Sequence, residues 1–178
     1  MRKTLFFLTA VCFVVLSCTK EKTDYEAEID IVVPTYDEFK EAVNIHSGDY
    51  DISIEALNGT FYKGYNEIRL KIMNSQTGKE ANATDVTFLP VTTEADGNKS
   101  SCPHRYDLAY TTDGSYFSGY SVFTRESDTE RSWELYISFT VGSQVHTIKK
   151  SISIQEQTNK NLNMTEFTGK DDEQYFIA

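Results

Sequence analysis

The sequence predicts an all-β fold, an immunoglobulin-like β-sandwich of about seven strands. Three observations carry that prediction. Apolar and polar residues alternate along several runs, the period of strands with one face in a core and one in water. Turn residues separate the runs at short intervals. Aromatics are abundant, with 11 Tyr and 11 Phe in 178 residues against 3 Pro and 9 Gly. That composition suits half-buried pleated surfaces and is unlike a disordered chain.

The elements follow in order. Residues 18–45 read as a polar tether, broken by one short helix over 36–43 that places Phe39 and Val43 on one face. The period then switches to two, and the sandwich is expected over 46–156. Ile52, Ile54 and Ala56 alternate with Asp51, Ser53 and Glu55, and Ile68, Leu70 and Ile72 alternate with Glu67, Arg69 and Lys71. The longest run, Trp133 to Val141, puts Leu135, Ile137 and Phe139 on one face. Ile152 and Ile154 alternate with Ser151 and Ser153. Between the runs lie Ser47-Gly48-Asp49, Asn58-Gly59, Asp96-Gly97-Asn98 and Asp113-Gly114. Val141-Gly142-Ser143-Gln144 reads as a tight hairpin in which Gly142 supplies a positive φ. Residues 157–166 read as a polar linker. Phe167-Thr168-Gly169 and Tyr175-Phe176-Ile177 then read as the start of a further strand, as expected of a chain that continues into a second domain.

The first 18 residues form an address. Arg2 and Lys3 precede an apolar stretch from Leu5 to Leu16, too short to span a bilayer as a helix, which takes roughly 20 residues. The stretch ends in Leu16-Ser17-Cys18, which resembles the lipobox of bacterial lipoproteins. The resemblance implies cleavage after residue 17, acylation of Cys18 through a thioether, and a firm lipid anchor. It also implies a location in the cell envelope, as an outer-membrane lipoprotein facing either the periplasm or the surface. The charged stretch after Cys18 is read either as a surface-export signal or as a plain hydrophilic tether.

Cleavage removes Arg2 and Lys3 and takes the formal charge from −10 to −12. An acidic surface excludes nucleic acid and argues against electrostatic binding to anionic lipid. With Cys12 discarded and Cys18 acylated, Cys102 is the one remaining thiol, so no internal disulfide is expected.

Residues 64–141 resemble the YtkA-like (FixH-like) family of extracytoplasmic sandwich domains. The carrying segments are Gly64-Tyr65-Asn66-Glu67-Ile68, the turn Ser75-Gln76-Thr77-Gly78-Lys79, and Asp85-Val86-Thr87-Phe88-Leu89-Pro90. Tyr116 to Phe123 and the Trp133 strand complete the match. The resemblance implies a link to copper handling, in which the loop after the Pro strand supplies soft ligands. Here that loop has neither Met nor His between Pro90 and Ser101, and continues as Ser101-Cys102-Pro103-His104.

Cys102 and His104 are therefore the candidate metal ligands. A thiolate and an imidazole two residues apart can face one ion, with His46, His146 or Met73 as a third ligand if folding brings one near. Two other readings stay open, a small buried Cys beside a surface His and a reactive thiol. Tyr106, Tyr110, Tyr116 and Tyr120 are read as a partner or glycan surface, or as cross-strand pairs that stabilise a sheet.

No Gly-x-Ser-x-Gly, phosphate loop or His-Glu-x-x-His occurs in the sequence. No enzyme is expected. The sequence favours a lipid-anchored binding or accessory module, either one that handles copper or a metal-free module that meets an outer-membrane transporter or another protein.

Overall fold

In the computed structural model, residues 38–158 and 164–177 are described. The signal segment, Cys18 and most of the tether lie outside the described residues. Among the described residues there are thirteen strands, of which seven have eight or more residues. The long ones are β1 (Phe39–Ser47), β2 (Tyr50–Leu57), β4 (Gly64–Asn74), β5 (Ala83–Glu94), β8 (Tyr116–Phe123), β9 (Arg131–Val141) and β10 (Gln144–Ile152). The short ones are β3 (Phe61–Tyr62), β6 (Lys99–Ser101), β7 (Ala109–Thr111), β11 (Ile154–Gln155), β12 (Thr165–Thr168) and β13 (Gln174–Ile177).

The long strands form two antiparallel sheets, ordered β1-β2-β4-β8-β7 and β10-β9-β5-β6. With β2 taken as strand A, the first sheet reads A-B-E-D and the second G-F-C-C′, the immunoglobulin order. β1 is an added strand outside A. The tryptophan also differs from the antibody pattern: Trp133 lies on the F-equivalent strand, where antibody domains carry theirs on C.

The inner rows of the two sheets make the core. Ile52, Ile54, Ile68, Leu70, Leu135 and Ile137 are each fully buried, which is the alternation expected from the sequence. Phe123 packs edge-on against Trp133, with ring centroids 5.2 Å apart. The indole Nε1 of Trp133 donates to the Arg125 carbonyl at 3.1 Å, so the one polar atom of this large side chain is satisfied. The hairpins at Ser47–Tyr50 and Val141–Gln144 are two-residue turns, with Gly48 at φ 60° and Gly142 at φ 62°. Both fall at turn signals read from the sequence, and the Gly142 turn is the tight hairpin expected there.

Asn66 explains the Gly-x-Asn start of β4. Its Oδ1 accepts from the Tyr62 backbone N–H at 3.0 Å, and its Nδ2 donates to the carbonyls of Tyr62 and Gly64 at 2.6 and 2.9 Å. A buried side chain thereby pairs three main-chain groups where β3 turns into β4.

Two expectations change. The helix expected over 36–43 is not formed in its described part: Phe39 to Ser47 is a strand paired with β2. A β-bulge between Glu41 and Val43 shifts the register, so Phe39 and Val43 fall on opposite faces despite their helical spacing. One helix of eight residues is marginal in water, whereas a strand on an open edge gains a full ladder. The domain boundary moves with it, since residues 39–45, assigned to the tether, belong to the sandwich. At the other end, β12 and β13 pair with each other as a hairpin. Lys63 Nζ reaches Glu166 of that hairpin at 2.6 Å.

Candidate functional site

The segment Ser101-Cys102-Pro103-His104 lies where the chain leaves β6 and crosses from one sheet to the other. The register pairs Val91 with Ser101, which places Pro90 opposite Cys102. Phe88 N donates to the Tyr106 carbonyl on this side of β5, so residue 90 would point its N–H the same way. Proline has none, and the Cys102 carbonyl loses its ladder partner. Two side chains fill the gap. His104 Nδ1 lies 2.7 Å from the Cys102 carbonyl oxygen, and Ser101 Oγ donates to the Pro90 carbonyl at 2.6 Å.

A carbonyl can only accept, so His104 carries its proton on Nδ1. In the neutral ring Nε2 is then a bare acceptor. That atom is buried and has no hydrogen-bond partner among the described residues. The Cys102 side chain faces the core, 4% exposed, with Sγ 3.3 Å from Ser121 Oγ. Burial pushes its thiol up to about 11, against weaker opposing hydrogen bonds from Ser121 and from backbone N–H groups. Such a thiol is neutral and shielded near pH 7, so the reactive-thiol reading has no support here.

The other candidate ligands are engaged elsewhere. His46 Nδ1 sits 2.7 Å from Asp51 Oδ1 on the exposed face. His146 stacks on Phe139 with centroids 5.0 Å apart and meets Tyr50 at 4.8 Å. Met73 lies one residue before the end of β4, in a bridge to Glu80. Among the described residues no group of three or more His, Cys, Asp or Glu could hold a metal ion. The copper implied by the family resemblance does not fit the residues present. One candidate donor is a protonated core thiol, and the other has one nitrogen committed to a main-chain carbonyl.

Of the four tyrosines singled out, three lie in cross-strand ring pairs or stacks. Tyr110 packs edge-on against Phe117, its direct partner across the β7–β8 ladder, at 5.1 Å. Its hydroxyl donates to Glu80 Oε1 at 2.7 Å. Tyr120 stacks with Tyr65 at 5.9 Å. Tyr116 lies 4.9 Å from the Arg69 guanidinium, whose other side covers the Phe39 ring at 3.4 Å. Tyr106, 50% exposed, meets the His104 ring edge-on.

The outward face of the five-stranded sheet thus carries Phe39, Arg69 and Tyr116 in one stack, and Tyr65 with Tyr120 in another. Tyr65 is 56% exposed. Glu67 Oε1 lies 3.4 Å from Arg69 Nε. Sequence reasoning missed Phe39, Tyr65 and Arg69. The signal was the alternation itself, which puts Tyr65, Glu67 and Arg69 on the polar row of β4, but their partners come from distant strands. A cleft of about 280 Å³ lies beside Tyr110, Glu80 and Asn82. It is smaller than the roughly 300–1,000 Å³ of small-molecule sites and is open to solvent.

These features define the class as a sandwich of immunoglobulin order whose chemistry-bearing side chains serve its seams and surface. No family model, no curated protein and no solved structure matches this chain.

Proposed function

We propose that this chain is a binding module of the bacterial cell envelope, anchored by lipid on Cys18, that recognises a protein partner without metal or catalysis. The observation that carries the reading is the outward face of the five-stranded sheet. Tyrosine and arginine are the residue types that dominate protein-interface energetics, because each combines a large flat contact with a polar tip. Here they stand on strands of a rigid sheet, with Arg69 already held between two rings. The lipid anchor rests on the sequence around Cys18 alone.

The test compares capture of one envelope protein by the wild-type chain, by Tyr65→Ser/Tyr120→Ser, and by Val145→Ser on the other sheet. Capture lost only in the double variant, at an unchanged urea midpoint, supports the reading. Capture unaffected by the double variant overturns it. Loss of fatty-acid labelling in Cys18→Ala tests the anchor separately.

One observation favours the copper alternative, with Cys102 and His104 as ligands. His104 Nε2 is buried and meets no donor among the described residues. That reading requires the segment to rearrange so that the thiol turns out of the core.

A further inference from the structure

We propose that residues 102–108 form a strap that opens as a unit before the sandwich unfolds and uncovers the facing edges of β5 and β8. The strap is joined to both sheets by backbone hydrogen bonds. Phe88 N to Tyr106 O and Leu108 N to Val86 O bind it to β5, both at 2.9 Å. Arg105 N to Tyr120 O at 3.0 Å and Val122 N to Pro103 O at 2.8 Å bind it to β8.

Little else holds it. Only Cys102 and Leu108 are buried, while Pro103, Arg105, Tyr106 and Asp107 are exposed. The ladder is already interrupted at Pro90, where two side-chain hydrogen bonds stand in for main-chain ones. By contrast β9 is paired along both sides, by β5 and by β10. A segment with few buried apolar contacts and exposed hydrogen bonds belongs to the low-stability end of a fold. The buried Leu108 side chain also has a tight seat. A Cβ built on Gly119 would lie 2.4 Å from Leu108 Cδ2, so a larger residue there forces the leucine tip to shift. Opening frees Val86 O and Phe88 N on one edge and Tyr120 O and Val122 N on the other. Unpaired edges of this kind accept an added strand.

Cys102 is a built-in reporter. The chain beginning at Thr19 keeps the whole sandwich and has Cys102 as its one thiol. Its reaction with a disulfide reagent is followed against urea, beside Trp133 fluorescence for global unfolding. The expected rate at low urea is flat, set by strap opening. Ser101→Ala raises it on the order of tenfold, the loss of one hydrogen bond to a buried carbonyl. Gly119→Ala raises it further. Amide exchange at Arg105 and Leu108 is faster than at Ile137. The proposal is overturned if thiol reaction follows the global unfolding slope at every urea concentration. It is equally overturned if the strap amides exchange no faster than Ile137.

Discussion

His104 and Cys102 are joined through a 2.7 Å hydrogen bond from imidazole Nδ1 to the main-chain carbonyl two residues back. The side chain and the thiol that look like a ligand pair are therefore linked through the backbone, in service of a seam. The cause lies on another strand. Pro90 removes the donor that an uninterrupted ladder would offer to Cys102, and the histidine supplies one instead.

That relation gives a stability prediction. His104→Ala leaves the Cys102 carbonyl without its partner and is expected to lower stability by about 1–3 kcal/mol. His104→Asn keeps an N–H donor close to the position of Nδ1 and is expected to lose less. Urea denaturation followed by Trp133 fluorescence separates the two. Equal losses would remove the hydrogen bond as the explanation.

The Cys102 thiol gives a pH dependence. Its folded pKa, pushed up to about 11 by burial, lies above the ordinary thiol value of 9.0. Between those values the unfolded chain has already released a proton that the folded chain keeps. This stabilisation is complete below pH 9 and is lost as pH rises toward 11. Wild type is expected to lose up to about 2 kcal/mol more than Cys102→Ala over that window. Parallel stability curves for the two proteins would contradict this.

Asn66 offers a sharper chemical test. Asn66→Ala abandons three main-chain groups at the β3–β4 turn and is expected to cost about 2–4 kcal/mol. Asn66→Asp keeps an acceptor for the Tyr62 N–H but sets a carboxylate against two carbonyls. It is expected to be no better than alanine. A mild Asn66→Asp phenotype in thermal unfolding would show that the Nδ2 bonds contribute little.

Core truncation sets the scale for these effects. Leu135 is fully buried on the central strand β9. Leu135→Ala is expected to cost about 2–5 kcal/mol, the range for a buried leucine that leaves a cavity. Tyr65→Ser/Tyr120→Ser, on the outer face, is expected to stay within about 1 kcal/mol. A larger loss from the tyrosine pair than from Leu135 would show that the stack serves stability above recognition.

The strands that follow strict alternation were legible. Trp133 to Val141 reads the same in sequence and structure, because every second residue faces one core. β1 was not legible, since a single bulge residue converts strand alternation into a helix-like spacing of Phe39 and Val43. Pairings such as β4 with β8 and β5 with β9 join residues far apart in the chain, and no local pattern encodes them. The site followed the same division. Ser101, Cys102 and His104 stood out as a cluster. Their role depends on Pro90 lying across the ladder, and that is a fact of register. The aromatic stack on Arg69 likewise needs β1, β4 and β8 side by side before its parts meet.

Cys102 and His104 serve the seam between the sheets, and recognition by the outer face of the five-stranded sheet is expected to need no metal. The most direct measurement is a Cu(I) and Zn(II) titration of the chain from Thr19, with Cys102→Ala and His104→Ala alongside. No stoichiometric binding is expected in any of the three, with His104→Ala less stable than wild type. Tight one-to-one binding by the wild-type chain, lost in both variants, would contradict it.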